Sequence, residues 1–293
     1  MTVLLVLLPV WLLGSGAAAL WYYFHLERKE ALVEQARFAK AVSIPLLQDD
    51  LRKVVEVIGE RNLSSAAATE GLSRAASMIE GLLGPSNTGY AVRRTRGPAD
   101  FPILQVSITG KSALAPAVWV ICSYDSPAGS RGGEANASGL AATVAAAQAL
   151  AGDQPDSPIH FIFLPHVNDS KSPTAETAAR FSQLAKASAP PAAILCVEAM
   201  GAGEELWLSS QDTAAKPLEN VTGLGKIYGS EALHLSDGRD LASALFEIGL
   251  PAVRIATRSP IPAGGNDDQT PDAAKVAAAS GRLIELIRRC ATK

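Results

Sequence analysis

Aromatic side chains make up only 5% of this sequence, and cysteine occurs three times, as Cys122, Cys196 and Cys290. An odd number of thiols, with no CxxC or Cys/His spacing, argues against both a disulfide framework and a zinc knuckle. Cys122 and Cys196 lie inside apolar runs and are expected to pack as small buried hydrophobes. Clusters of basic residues are missing too. Lys and Arg are scattered and the net charge is −3, which leaves no electrostatic footprint for nucleic acid. No P-loop lysine follows the glycines at 132, 133 and 139, so they do not read as a phosphate cradle.

Charge is absent altogether from Val3 to Phe24, a run that ends in Trp21-Tyr22-Tyr23. About 20 apolar residues span a bilayer and aromatics gather at its interface, so residues 1–24 are expected to be a transmembrane anchor. Ala17-Ala18-Ala19 would suit signal cleavage, but the basic n-region of a signal peptide is missing. Arg28, Lys29, Arg37 and Lys40 follow the run, and by the positive-inside rule they place the rest of the chain in the cytoplasm. Residues 25–44 carry Leu26, Leu32, Val33 and Phe38 at helical spacing and read as a juxtamembrane helix ending near Pro45.

What the sequence does have is apolar residues (48% of 293), arranged in alternating strand-like and helix-like stretches over residues 45–293. Helices are expected at Leu46–Ile58 and Thr69–Leu83, then strands at Tyr90–Arg94, Ile103–Thr109 and the wholly apolar Val118–Cys122. A small-residue helix at Ala137–Leu150 follows. Strands at Ile159–Leu164, Ala192–Val197 and Ala252–Ala256 then alternate with helices at Pro173–Ala187, Asp240–Ile248 and Asp272–Arg289. The pattern implies an α/β fold with a mostly parallel central sheet and helices on both faces. In such sheets, sites form beyond the carboxyl ends of the strands.

One of those strand ends reads Val118-Trp-Val-Ile-Cys-Ser-Tyr-Asp-Ser, followed by Gly132-Gly-Glu-Ala-Asn-Ala-Ser-Gly-Leu. The second resembles the helix-opening Gly-Ala-Asp-Asp-Asn-Ala-Ser-Gly of the co-catalytic zinc aminopeptidases (peptidase clan MH, family twenty-eight), and the first resembles their strand ending in His-x-Asp-Ser. Ile159-His-Phe-Ile-Phe, Leu195–Gly201, Ser236-Asp237, Phe246 and Gly249-Leu-Pro-Ala-Val follow that family's landmarks in order. So do the helix Gly71–Leu83 and Gly89-Tyr-Ala-Val, and the resemblance covers Leu46 to the C-terminus. It implies a zinc-aminopeptidase-like fold, behind one N-terminal transmembrane helix. The family is usually exported, which tips the expected side of the membrane slightly towards export.

The family's reaction needs two metals, a bridging carboxylate and a glutamate general base. Carried over, the first histidine ligand falls on Ser123 and the bridging aspartate on Ala135, next to Asn136. The catalytic glutamate and its neighbouring ligand fall on Val167 and Asn168, and the next aspartate ligand on Glu198. The last histidine falls near Gly264, and no histidine occurs beyond His234. Asp125, which in the family supports the first histidine, is left to hydrogen-bond the local glycine loop. Asp237 and His166 complete the lining of the vestigial cleft.

A Ser123/His166/Asp125 triad lacks the Gly-x-Ser-x-Gly elbow. A rebuilt single-metal site would draw on His166, Glu198 and Asp125. His160, mid-strand, and His234, in a loop, read as structural. The expected protein is an inactive, membrane-anchored aminopeptidase-like domain without a cofactor, the alternative being an active hydrolase or aminopeptidase with zinc in a rebuilt site. Its expected partners are the membrane and a peptide-like ligand or a protein.

Overall fold

The computed structural model describes residues 15–16, 18–26, 42–168, 174–187, 190–209, 231–233, 240–250, 252–258 and 267–292. Asp237, Gly264, His234, most of the expected juxtamembrane helix and the first part of the expected anchor lie outside these residues. The chain divides into two units, Met1–Ala41 and Val42–Lys293. In the first, residues 18–26 are helical, Leu20 to Phe24 are exposed, and Trp21 stacks on His25 with ring centroids 5.1 Å apart. Among the described residues no helix is long and apolar enough to cross a membrane.

The second unit opens with α1 (Ile44–Arg52), whose Pro45 sits in the first turn, where its missing N–H needs no partner. The helix continues as a wider π-helical stretch over Lys53–Ile58 and stops at Gly59, whose φ of 78° suits glycine. Then come α2 (Ala66–Leu83), β1 (Arg93–Arg96), β2 (Pro102–Ile108), β3 (Val118–Ser123), a π-turn at Gly133–Ala137, α3 (Ser138–Ala149), β4 (Ile159–Leu164), α4 (Thr174–Lys186) and β5 (Ala193–Val197). The chain ends with β6 (Trp207–Ser209), β7 (Glu231–Leu233), α5 (Leu241–Glu247), β8 (Val253–Ala256) and α6 (Ala273–Cys290). Side-chain caps fix three helix starts: Ser65 accepts from Ala68 N, Asp240 from Ser243 N, and Asp272 from Ala274 N.

The eight strands form one sheet in the order β1-β2-β4-β3-β5-β8-β6-β7. The block β4-β3-β5-β8 is parallel, as expected. With β6/β7 also parallel, four of the seven described strand pairs are parallel, as the sequence suggests, while β1/β2, β2/β4 and β6/β8 pair antiparallel. The physical reason for the β1/β2 pairing is the short Gly97–Asp100 connection, which can join only antiparallel neighbours. Every expected element of this unit is present to within three residues at each end. The short β6 and β7 were not anticipated.

Alternation along the strands feeds two cores. Val118, Val120, Phe161, Phe163, Leu195 and Val253 pack with α1, α2, α3 and α6 on one face. Trp119, Ile121, Ile162 and Ile194 pack with Phe181 of α4 and Leu245 of α5 on the other. β3 is buried along its whole length, and Cys122 and Cys196 lie buried as free thiols on opposite cores. Gly139 of α3 passes so close to the end of β5 that an added Cβ would lie 2.0 Å from the Glu198 carbonyl. This contact draws the loop after β3 against the loop after β5.

Candidate functional site

The parallel block brings the loops after β3, β4, β5 and β8 to one edge of the sheet. Ser123 pairs with Leu164 in register, so residues just beyond each strand are neighbours. The sequence points Asp125 at the glycine loop; the structure turns its carboxylate towards the neighbouring strand end. The carboxylate reaches across to the loop after β4, where Oδ2 accepts from Val167 N at 2.8 Å and Asn168 N at 2.6 Å. The Asn168 amide donates to Asp125 Oδ1 at 3.0 Å and to Ser123 Oγ at 3.1 Å. Asn136 donates to Ser123 Oγ at 2.6 Å and to the Ser123 carbonyl at 3.0 Å. Ser123, Asp125, Asn136, Val167 and Asn168 are thus one hydrogen-bonded cluster.

Beneath the cluster lies Arg61, wholly buried. Its Nε donates to the Tyr124 carbonyl at 2.9 Å, and its terminal nitrogens donate to Val54 O, Gly59 O and Asn136 Oδ1 at 3.2, 2.6 and 3.0 Å. Burial lowers its pKa to about 10, with Asp125 and Asp267 working in the opposite direction. The guanidinium remains charged at neutral pH.

Ala135 stands at the helix start beside Asn136. Its backbone N–H and that of Glu134 are both capped by Asp267, at 2.8 and 2.7 Å. An anionic carboxylate here complements the positive end of the helix. Glu134 itself accepts from Gly201 N at 2.8 Å, and burial raises its pKa above the ordinary value.

Glu198, the one position where the sequence retains a metal-binding side chain, is paired with Arg254 Nε. Arg254 is 2% exposed and donates a second bond to the Arg258 carbonyl at 3.0 Å. Glu198 is 23% exposed. Burial, and after Arg254 the nearby Asp240, shape its pKa, which ends above the ordinary value; Arg254 pulls it down.

His166 is buried and packs edge-to-face on Phe101 with centroids 5.4 Å apart. Ser123 Oγ meets two amide groups, and the triad reading has no support in these contacts. His160 pairs with Ser107 Oγ at 2.8 Å and lies edge-on to Trp119, the structural role expected of it.

The cluster predicts a pH dependence of stability. Burial lifts the Asp125 carboxyl to about 6, against the pull of the Asn168 and Val167 amides. The folded state therefore holds a proton that the unfolded chain releases near pH 4. The stabilisation is complete below the unfolded pKa and is lost as the pH rises through about 6. At about 1.4 kcal/mol per unit, the swing is on the order of 3 kcal/mol. Half-buried Asp50, also raised to about 6 by burial, acts in the same direction. Urea unfolding between about pH 4 and 6.5 should show the decline, and Asp125→Asn should shrink it to the part that Asp50 contributes.

A zinc pair does not fit these residues. Catalytic zinc takes three or more nitrogen, sulfur or carboxylate ligands. The corresponding positions offer a hydroxyl, a methyl, an isopropyl group, an amide, and a carboxylate already held by a guanidinium. Among the described residues, no three His, Cys, Asp or Glu side chains converge as a metal site. Arg61, Arg254, Asp267 and Glu134 were not singled out from the sequence. Only Arg254 carried a local signal, as a lone charge inside the apolar Val253-Arg-Ile-Ala.

Compared as a sequence, the chain matches no protein-family model and no curated protein. Compared as a fold, it is similar to solved structures, aminopeptidases among them. LapA aminopeptidase of Legionella pneumophila is 15% identical with a TM-score of 0.70, over 89% of this chain and 74% of that one. LapB of the same organism is 14% identical with a TM-score of 0.71, over 88% and 75%. BSAP, a zinc aminopeptidase from Bacillus subtilis, is 12% identical with a TM-score of 0.65, over 86% and 96%. The fold is that of the zinc aminopeptidases, in divergent form.

Proposed function

We propose that this chain is a non-catalytic protein on an aminopeptidase frame, held at a membrane by its N-terminal segment, whose work is to bind a peptide-like ligand or a partner protein. The observation that carries this reading is the Glu198–Arg254 pair: the one retained carboxylate is committed to a buried cation. Two further observations support it. Val167 stands where the resemblance places the general base, and its side chain cannot take a proton. Ser123 and Asn168, at two other ligand positions, are hydrogen-bonded to each other.

The inherited reaction depends on a metal lowering the pKa of bound water from 15.7 to about 7. A side-chain set that cannot hold the metal leaves neutral water as the only nucleophile. Membrane attachment rests on the uncharged run from Val3 to Phe24 and its aromatic end, and the usual location of the family favours the exported side.

The test is zinc content. Full-length protein is equilibrated with zinc, cleared of excess, and assayed for bound metal and for turnover of aminoacyl substrates. Less than about a tenth of an equivalent of zinc is expected, with no chelator-sensitive turnover, because a family-type site fills nearly stoichiometrically. One or two tightly held equivalents would overturn the reading and point to His166, Glu198 and Asp125 as ligands.

A further inference from the structure

The sheet ends on β1, whose sequence is Arg-Arg-Thr-Arg and whose one strand neighbour is β2. Arg96 lies opposite Pro102, Thr95 opposite Ile103, Arg94 opposite Leu104 and Arg93 opposite Gln105. Pro102 has no N–H, so the Arg96 pair cannot exchange two backbone bonds. The next pair along does bond, Gly97 N donating to Phe101 O at 2.9 Å. Bonded pairs in an antiparallel ladder alternate, so they fall at Gly97, Thr95 and Arg93. The backbone N–H and C=O of Arg94 and Arg96 consequently point away from the sheet. Among the described residues nothing bonds to them from outside it.

Three guanidinium groups surround this open backbone. Arg93 makes no ion pair among the described residues, while Arg94 meets Glu80 at 3.2 Å and Arg96 meets Asp100. The four side chains of those pairs are 26–81% exposed, so water and salt compete readily for them. Pairing of β1 with a second copy of itself would crowd arginines against arginines, a common way of closing an edge to self-association. A strand of opposite charge meets no such barrier.

We propose that β1 receives an extended acidic segment of a partner protein as a ninth strand. Backbone bonds to Arg94 and Arg96 would supply the docking, and side chains on the two faces the selectivity. Arg94 and Arg96 share the face of Leu104, and Arg93 and Thr95 share the other. The fitting pattern, read antiparallel from Arg96 to Arg93, is acid, β-branched, acid, acid, as in Glu-Val-Glu-Glu. The edge lies three strands away from β3, separated from it by β2 and β4. Its failure would leave the reading of the strand-end site untouched, and the zinc test leaves this edge untouched.

The experiment is fluorescence anisotropy of a dye-labelled Thr-Glu-Val-Glu-Glu-Val peptide titrated with the full-length protein. Saturable binding is expected, weakened at least about tenfold in Arg93→Glu/Arg94→Glu, whose circular dichroism should match the parent. On the parent protein, methylating the peptide nitrogen that faces the Arg94 carbonyl should weaken binding by a similar factor, because it removes one backbone bond at constant charge. Equal affinity for the methylated peptide would mean charge attraction without strand addition and would overturn the proposal. So would the absence of saturation below about 1 mM. Sedimentation of the parent, but not the double variant, with anionic lipid vesicles while the peptide stays free would replace the protein partner with a lipid surface.

Discussion

Replacing Arg61 with alanine is expected to destabilise the second unit by roughly 4–5 kcal/mol, one of the largest effects of any single substitution in the chain. The side chain is wholly buried and serves four acceptors from three separate segments: Val54 and Gly59, Tyr124, and Asn136. Removing it strands those oxygens out of water, at about 1 kcal/mol or more each, and opens a cavity in addition. Its backbone also exchanges bonds with Ser126, and those survive substitution, so the loss measures the guanidinium. Arg61→Met isolates the hydrogen bonds from the packing, because it restores most of the stem and none of the donors. It should remain nearly as destabilising as Arg61→Ala. Arg61→Lys keeps the charge but not the planar fork that reaches acceptors on several sides, so it should recover only part of the loss. Urea unfolding at neutral pH gives all three values. A loss below about 1 kcal/mol for Arg61→Met would mean that water reaches the acceptors and that the network does not hold the loops together.

The fold was legible because its signals are local. Val118–Cys122 is an uninterrupted apolar run of strand length, and Ala-rich α3 must lie flat against the sheet. Turn residues separate almost every element from the next. β6 and β7, at three residues each, are too short to show a period. Tyr90 looked like strand because its neighbours are apolar, but its hydroxyl is spoken for by the Ala147 carbonyl at 2.8 Å, and the pairing with β2 begins only at Arg93.

The site was legible only in outline. The resemblance placed Ser123, Asn136, Val167 and Asn168 in one region, and the parallel register of β3 and β4 makes them neighbours. It could not say what took over from the lost ligands. Arg61 and Asn136 are 75 residues apart in sequence, and Asp267 caps Ala135 from 132 residues away. No spacing rule connects such partners. Asp267 can meet Ala135 because the sheet order sets β3 and β8 on either side of β5. Even so, the chemistry of substitution is consistent across positions. Glu198 apart, this chain carries amides, hydroxyls and alkyl groups where the resemblance expects metal ligands, and buried guanidinium ions stand close by in Arg61 and Arg254. Fixed cations from the chain's own side chains can balance the carboxylates of such a frame without a metal, provided they are as fully bonded as Arg61 is.

Glu198→Ala puts that idea to its sharpest trial, with an expected loss of roughly 3–5 kcal/mol. The substitution leaves Arg254, 2% exposed, with one bond to the Arg258 carbonyl and, among the described residues, no counter-charge in contact. Arg254→Met should cost much less, about 1–2 kcal/mol, because Glu198 is 23% exposed and can turn its carboxylate to water. The asymmetry follows from which partner solvent can reach, not from the strength of the pair, which both variants lose equally. The double variant Glu198→Leu/Arg254→Met removes both charges and should lie closer to the parent than Glu198→Ala does. Unfolding free energies of the parent and these three variants suffice. If instead Glu198→Ala is tolerated within about 1 kcal/mol, Arg254 does not depend on this carboxylate. Glu198 would then be available to a metal, and the strand-end site would regain the most suitable ligand it has.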